Sequence, residues 1–263
     1  MPSEWVIRVR LPGSATSRSG TVPGRVVHAV VCRWLDDAAD DPDVYGHHAP
    51  VKKYSLTPLT FEPSGSPGSP RMAVLMVRLL DDRLEPRLVA AVSSGVLVEL
   101  GRLGQASVAG DPVKVRHEDW PELVRWSGQR QWEVKFDSPA VFRSRSRTSP
   151  WPAPEVMLRG LADRWTHVIG QSPARPDPAV ARSMWVMDVD GGGRRVEVPA
   201  GVTVGFVGRV RYGCDGDDGQ AAQCHALLAF GEMAGVGSHS AHGLGRVRVN
   251  PIGTGPKRSI ARS

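Results

Sequence analysis

The sequence predicts an α+β fold in which the element order β-α-β-β-α-β occurs twice, the order of a split βαβ, or ferredoxin-like, unit. Runs typical of strands are interspersed with segments of helical spacing in both halves of the chain. The 263 residues suffice for two domains of ordinary size. The 29 glycines and 22 prolines indicate many turns, because helices do not accommodate such numbers internally.

The first half contains one complete set of these elements. Apolar and polar residues alternate from Trp5 to Leu11, as in a half-buried strand, whereas the valines of residues 22–37 recur at helical spacing after Pro23. In chain order we predict a strand at 5–11, a helix at 22–37, strands at 53–61 and 71–80 around the linker 63–70, a helix at 82–92, and one or two strands within 96–115.

The second half repeats this order after a break in the strand pattern at residues 118–130. Apolar residues share one face of its first helix, and glycine-rich turns separate its middle strands. The predicted elements are a strand at 132–142, a helix at 154–168, strands at 184–189, 194–198 and 202–212, a helix at 221–234 and a strand at 244–249. We therefore predict domains at 1–120 and 131–250, followed by a flexible basic tail at 251–263.

Charge and cysteine content narrow the range of partners and compartments. The net charge of +6 and the pI near 9.6 favour a polyanionic partner. The cysteines Cys32, Cys214 and Cys224 form no CxxC pair, so the sequence predicts neither a disulfide framework nor a metal site, and we expect no cofactor. With no signal-peptide pattern and no apolar run long enough to span a bilayer, we expect a cytoplasmic protein without membrane contact.

The most specific motif is a glycine-rich loop between the last predicted helix and the last predicted strand. Four glycines allow positive φ angles and close approach of the backbone to a ligand. Exposed amides in such a loop can bind phosphates. One or two of these glycines could be explained by a helix cap and a loose turn, but four could not. They are Gly235, Gly237, Gly243 and Gly245.

This loop, residues 235–245, resembles the C-terminal glycine-rich signature of the RAMP-superfamily CRISPR-associated endoribonucleases, which cut precursor CRISPR RNA within its repeats. Four other stretches are similar to motifs of the same family and follow in the same order. They are Lys-Lys-Tyr-Ser-Leu-Thr-Pro-Leu at 52–59, Phe-Asp-Ser-Pro-Ala-Val-Phe-Arg at 136–143, Leu-Ala-Asp-Arg-Trp at 161–165, and Gly-Phe-Val-Gly at 205–208.

The resemblance implies two tandem ferredoxin-like domains and a cut that needs no metal ion. The ribose 2′-OH next to the scissile phosphate would attack it, leaving a 2′,3′-cyclic phosphate and a 5′-OH. Such a reaction needs a base for the hydroxyl, an acid for the leaving oxygen and a cation for the charge of the phosphorane. Histidine suits the first two roles because its pKa lies near neutrality, and lysine or arginine suits the third.

The candidate catalytic residues follow from the same resemblance. Many family members carry a catalytic histidine in the loop after the first helix, where this chain has His47 and His48, followed by a lysine that Lys52 matches. Some branches instead place the histidine on the first helix, which makes His28 the reserve candidate. An adjacent histidine pair in a polar loop can also be merely solvated, and His28 can be a histidine at the edge of the core.

A helper tyrosine of the family is replaced here. Where other members carry a tyrosine on the first helix, this chain has Cys32. Tyr45 and Tyr54 are nearby substitutes, although we expect Tyr54 to pack within its strand.

Two groups of residues are candidates for RNA binding. The arginines of residues 143–147 alternate with serines, which predicts one basic side of an extended segment that follows phosphates. The second group surrounds the glycine-rich loop, where phosphate contact would depend partly on backbone amides. The candidates are Arg143, Arg145, Arg147, Gly235, Gly237, His239, Ser240, Gly243, Gly245, Arg246 and Arg248.

Two other functional classes stay open at this point. A non-catalytic RNA-binding subunit of a CRISPR effector complex, built on the same fold, would keep the basic residues and the glycine-rich loop without needing a histidine–lysine pair. A basic RNA-binding protein outside CRISPR biology would leave the five ordered motifs unexplained. The expected partners are a precursor CRISPR RNA repeat, folded as a hairpin, and other effector subunits.

Overall fold

The computed structural model describes residues 1–12, 22–35, 51–62, 71–144, 147–169 and 178–253. Within these residues it confirms the predicted α+β fold. Antiparallel sheets are packed with helices in two consecutive units, each with its own buried apolar core. No helix among the described residues is long and apolar enough to cross a membrane.

The first unit is a sheet of seven strands with two helices on one face. Alternation places Trp5, Ile7 and Val9 on the inner face of the first strand, against apolar side chains of the helices. The elements are β1 Ser3–Arg10, α1 Gly24–Leu35, β2 Tyr54–Leu56, β3 Thr60–Phe61, β4 Met72–Leu79, α2 Glu85–Ala91, β5 Leu97–Glu99, β6 Gln105–Val108 and β7 Val113–His117.

The second unit is a four-stranded sheet with its helices packed in one core around Trp132 and Phe230. A capping box at Asp217 and Gln220 begins its last helix. Its elements, after the short α3 Trp120–Leu123, are β8 Gln131–Ala140, β9 Phe142–Ser144, β10 Arg147–Ser149, α4 Pro154–Ile169, α5 Pro178–Ser183, β11 Met184–Val198, β12 Gly201–Cys214, α6 Asp218–Ala234 and β13 Val247–Ile252.

Both sheets have the strand order of a ferredoxin-like unit. In the first, β4 lies between β2 and β1, and β6 and β7 pair with the other edge of β1. In the second, the order is β11-β12-β8-β13. Counting the four principal strands of each unit in chain order, both sheets read second, third, first, fourth. The predicted repetition of one pattern is therefore confirmed.

Three predictions about single elements are wrong in detail. Residues 96–115 contribute to three strands, not one or two, and the predicted strand 53–61 is broken between β2 and β3, next to Pro58. The strands predicted at 184–189 and 194–198 form the single β11, because the glycines between them pair with β12 instead of turning. At Gly191 a Cβ would lie 2.4 Å from the carbonyl oxygen of Val207, so the close approach of the two strands requires glycine there.

The two units meet where the C-terminal end of α6 lies against β2 and β4. The Ser55 hydroxyl donates to the carbonyl oxygen of Met233 at 2.6 Å. The buried guanidinium of Arg78 pairs with Glu4 at 2.9 Å and also donates to the carbonyl oxygen of Glu232. These contacts place the loop that follows α6 beside α1 and β2.

Candidate active site

The glycine-rich loop is a close-packed connection between α6 and β13. Gly235, Gly237, Gly243 and Gly245 all have positive φ angles, between 68° and 84°. A Cβ on Gly245 would lie 1.8 Å from the carbonyl oxygen of Val236, and one on Gly237 would lie 2.5 Å from that of Val141. Both the left-handed conformation and the close contacts therefore require glycine at these positions.

The backbone amides of three loop glycines are already bonded within the protein. Gly235 donates to the carbonyl oxygen of Gly231, Gly243 to that of Ser240, and Gly245 to that of Pro139. These three amides are therefore engaged in holding the loop. The structure explains these glycines by close packing within the protein.

The loop lies directly against the first unit. Ala241 packs into the core of that unit, and a Cβ on Gly24, at the start of α1, would overlap the carbonyl oxygen of His242. Gly243 approaches the backbone of Thr57 and Pro58, just after β2. A motif near the end of the sequence is thus held against the first helix and the second strand.

Four polar side chains meet at this contact and form what we call the histidine cluster: His28, Cys32 and Tyr54, which are buried, and His242, which is half-buried. His28 and Cys32 are one helical turn apart on α1, so their side chains share a face. The Tyr54 hydroxyl lies 3.1 Å from both His28 Nδ1 and Cys32 Sγ. The ring of His242, from the loop, packs on His28 with 4.2 Å between centroids.

His239 immediately precedes the short turn Ser240–His242 of the loop and has a backbone conformation unusual for histidine. Its φ of 64° is left-handed, and its ring lies 5.7 Å from that of His242. Partial burial, together with the positive charge of nearby Arg143, lowers the pKa of His239. This histidine therefore favours the neutral form near neutral pH.

Arg164, on α4, lies between the loop and the first unit. It is partly buried, and its guanidinium donates to the carbonyl oxygens of Lys52 at 3.2 Å and Tyr54 at 3.0 Å. It also donates to the carbonyl oxygen of Ala234 and to the hydroxyl of Ser240. Burial lowers the pKa of Arg164 to about 10, because the charged form is poorly solvated there.

The segment that carries Lys52 is anchored by a buried carboxylate. Lys53 pairs with Asp81 at 3.2 Å, and the backbone amide of Leu80 donates to the carbonyl oxygen of Lys53. Burial of Asp81 raises its pKa, but hydrogen bonds from Arg83 and Lys53 outweigh this effect and bring the pKa to about 2. The chain is thus fixed immediately after Lys52, beside the histidine cluster.

The structure brings some of the predicted site residues together and separates others. His28, Lys52, His239 and Ser240 lie around one junction of α1, β2 and the loop, whereas His47, His48 and Arg145 lie outside the described residues. Ser240 is buried and its hydroxyl faces Arg164, not solvent. The described residues hold no group of three or more His, Cys, Asp or Glu side chains placed to bind a metal ion.

The prediction that the arginines of residues 143–147 lie on one side of an extended segment is wrong for Arg143 and Arg147, the two that the structure describes. Arg143 lies on β9 and pairs with Thr148, whereas Arg147 lies on β10 and pairs with Ser144. Neighbouring pairs of an antiparallel ribbon point to opposite faces, so Arg143 and Arg147 project to opposite sides. Arg143 is the one beside His239.

The two arginines after the loop are partly engaged by the protein. Arg248, on β13, pairs with Asp137 at 2.7 Å. The guanidinium of Arg246 lies 3.4 Å from the sulfur of Met76, in the other unit. Burial and the positive charge of Arg78 lower the pKa of Arg246.

Comparison with known proteins assigns the architecture. Residues 134–247 match the family model of the CRISPR-associated endoribonuclease Cas6. A product complex of Cas6 from Thermus thermophilus superimposes with a TM-score of 0.76 at 21% identity, covering 95% of this chain and 100% of that one. A second Cas6 product complex gives 0.73 at 24% identity, covering 95% and 99%. The chain has the Cas6 fold.

The resemblance seen in the sequence is therefore confirmed. Cas6 from Mycobacterium tuberculosis is 28% identical over 127 residues, which cover 47% of this chain and 40% of that protein. The aligned part thus spans less than half the length of this relative. The Cas6 family model covers α4 and the whole glycine-rich loop, which are the parts that contact β2 in this chain.

Two residues of this site were not among the catalytic or RNA-binding residues predicted from the sequence, which named Tyr54 only as a substitute for the helper tyrosine. Tyr54 is buried in β2 as expected, yet its hydroxyl also reaches His28. Arg164 lies in the stretch 161–165 that carries part of the family resemblance, but spacing alone does not show which backbone atoms a buried guanidinium reaches. The sequence signal that could have indicated the role of Arg164 is its position beside the apolar face of the helix formed by Leu161, Ala162 and Trp165.

Proposed function

We propose that this protein is an endoribonuclease that cleaves precursor CRISPR RNA within its repeats without a metal ion. The ribose 2′-OH would attack the adjacent phosphate and release a 5′-OH, leaving a 2′,3′-cyclic phosphate. One observation carries the proposal: the glycine-rich loop of the second unit is held against α1 and the segment of Lys52. Residues that the family resemblance assigns to one site, from both ends of the chain, are thus neighbours.

In this proposal His47 or His48 acts as the general acid or base, and Lys52 stabilises the charge of the phosphorane. His28 remains the reserve candidate. Its Nδ1 lies 3.1 Å from the Tyr54 hydroxyl, its Nε2 lies 3.5 Å from Cys32 Sγ, and 7% of the residue is exposed. A ring engaged at both nitrogens is better suited to holding the loop than to exchanging protons with RNA.

RNA would lie along the side of the loop that carries Arg143 and His239. Burial and, to a lesser extent, the positive charge of Arg143 lower the pKa of His239, and the charge of Arg143 also favours a phosphate. The basic composition of the chain supports a polyanionic partner.

The test is incubation of the protein with an end-labelled cognate repeat RNA in excess EDTA. We expect a single cut, and we expect a 2′-deoxy substitution just upstream of the cut to block it. Binding without cleavage would show a non-catalytic RNA-binding subunit instead. Cleavage that appears only with added magnesium would overturn the metal-independent mechanism.

A further inference from the structure

We propose that Arg164 is a positioning residue that couples the glycine-rich loop to the segment carrying Lys52. The proposal rests on the proposed function, because it assigns to Arg164 the alignment of Lys52 with the glycine-rich loop for RNA cleavage. Arg164 itself would not touch the reacting atoms.

The contacts of the guanidinium join four parts of the fold. One terminal nitrogen donates to the carbonyl oxygen of Ala234, at the end of α6, and to the hydroxyl of Ser240, in the loop. The other donates to the carbonyl oxygens of Lys52 and Tyr54, at the start of β2. The side chain itself comes from α4. A single planar group therefore sets the distance between the loop and β2.

Arginine is the one side chain that can make this junction. Its fork presents five N–H donors in a fixed plane, whereas lysine presents three donors on a single atom. The acceptors named above are three carbonyl oxygens and one hydroxyl, with no carboxylate among them. Burying a charge without an opposite charge is costly, and the pKa of Arg164 falls to about 10 as a result. A neutral side chain would suit the core better if Arg164 only filled space.

The junction holds both the segment of Lys52, which the proposed reaction needs, and the turn of the loop that packs on α1. The carbonyls of Lys52 and Tyr54 flank Lys53, whose ammonium is held by Asp81, so the backbone is fixed on both sides of the segment. On the loop, Ser240 begins the turn that places His242 on His28. Loosening Arg164 would let Lys52 and the histidine cluster shift relative to each other.

The main test compares Arg164→Lys with the wild type in single-turnover cleavage at saturating repeat RNA. A misplacement of about 1 Å costs about 100-fold in rate, so we expect a loss of that order. We expect the Kd for a non-cleavable 2′-deoxy repeat RNA to change by no more than about threefold, because the guanidinium of Arg164 is taken up by acceptors of the protein. A rate within about threefold of the wild type would overturn the proposal, since lysine keeps the charge but not the fork.

Arg78→Lys is the matched control. Arg78 is also a buried arginine that donates to α6 at the same junction. Its backbone pairs with Ser55 of β2, but its guanidinium bonds Glu4 and the carbonyl oxygen of Glu232, and among the described hydrogen bonds it reaches neither β2 nor the loop turn. We expect Arg78→Lys to lower the unfolding temperature at least as much as Arg164→Lys does, with a cleavage rate close to that of the wild type. Equal rate losses in the two variants would show a general effect of a weakened junction and would overturn the specific role.

A second variant covers the case in which Arg164→Lys does not fold. Ser240→Ala removes one acceptor and leaves the chain otherwise intact. We expect faster amide hydrogen exchange at residues 52–56, because the described hydrogen bonds link the Ser240 hydroxyl to this segment through Arg164. Unchanged exchange at 52–56 would overturn the coupling. This measurement uses the protein without RNA, so it separates failure of the coupling from failure of the proposed nuclease activity.

Discussion

Asp81 shows how a single buried carboxylate holds the segment that carries Lys52. Its side chain accepts from Lys53 at 3.2 Å and from Arg83 at 2.8 Å, and also caps the turn that precedes α2. Together these donors bring its pKa to about 2, below the ordinary value of 3.8. A carboxylate whose pKa is lower in the folded state than in the unfolded state stabilises the fold at any pH above its unfolded pKa.

We predict that Asp81→Asn lowers the free energy of unfolding at pH 7 by about 1 to 2 kcal/mol, discounted because Arg83 is largely exposed. The difference from the wild type should narrow as the pH falls from about 4 through about 2, where Asp81 itself becomes protonated. Urea unfolding at pH 7, 4 and 2.5 measures this. Asp82→Asn is the control, since among the described residues the carboxylate of Asp82 makes one exposed ion pair, with the N-terminus, and the change should alter stability little. A constant difference at all three pH values would contradict the assignment.

The proposed acid–base residues give a second prediction at this scale. Replacing both His47 and His48 by alanine should abolish cleavage while leaving the affinity for a 2′-deoxy repeat RNA within about threefold, because proton transfer is lost but phosphate contacts remain. Single-turnover rates and filter binding measure the two quantities. His167→Ala is the control, since His167 is exposed near the C-terminal end of α4 and its described hydrogen bond is to the carbonyl oxygen of Asp163 in the same helix. Undiminished cleavage in the double variant would move the role to His28.

At the scale of elements, glycines determine how closely segments approach one another. In the loop, four of them allow tight contacts with Val141, Val236, Ser240 and the chain after β2. In the β11–β12 hairpin, Gly191 and Gly208 lie back to back: a Cβ on Gly191 would be 2.4 Å from the carbonyl oxygen of Val207 and 2.7 Å from the ring of Phe206. At the next residue, Gly192, an added Cβ would have no atom within 4 Å.

This pair of neighbours gives a matched prediction. Gly191→Ala should lower the free energy of unfolding by about 1 to 3 kcal/mol, since the methyl group forces β11 away from β12. Gly192→Ala should be neutral or stabilising by up to about 1 kcal/mol, because it only restricts the unfolded chain. Denaturant unfolding of both variants measures the contrast. Equal effects at the two positions would contradict the packing described for this hairpin.

At the scale of the whole molecule, the arginines differ in whether a nearby carboxylate balances their charge. On the outer face of the second sheet, Arg209 and Arg211 pair with Asp190 and Glu133, so their charge is largely balanced. Beside the glycine-rich loop, Arg143 acts on His239 and is exposed on β9. The net charge of +6 therefore does not show by itself where RNA would bind.

We predict that Arg143→Gln reduces the slope of log Kd against log salt concentration by about 1, as expected for one lost phosphate contact. Arg209→Gln should leave the slope unchanged, because that guanidinium is held by Asp190 at 2.6 Å. Titrations of the 2′-deoxy repeat RNA between 50 and 300 mM salt, concentrations chosen so that screening changes by about twofold, measure both. A smaller slope in the Arg209 variant alone would place RNA on the sheet instead.

Much of the fold could be predicted because its signals are local. The helical spacing of the valines in α1, the alternation in β1 and the turn residues between strands each depend on neighbours in the chain. The exceptions are also physical. The glycines in the middle of β11 resemble a turn in sequence, and only their pairing with β12 shows that they allow two strands to approach closely. Likewise, alternation in the sequence predicted that Arg143 and Arg147 lie on one side, but the pairing of β9 with β10 places them on opposite faces of the ribbon.

The sequence by itself determined the two repeated units, the basic character, the glycine-rich loop and the family resemblance, because periodicity, composition and motifs are properties of short stretches. Only the tertiary structure decided that the loop packs on α1, that Tyr54 reaches His28, and that the loop amides serve the protein. It alone placed Arg164 between Tyr54 and Ser240, 110 and 76 residues away in the chain. Contacts at such separations depend on how two folded units meet, and no local pattern encodes that geometry.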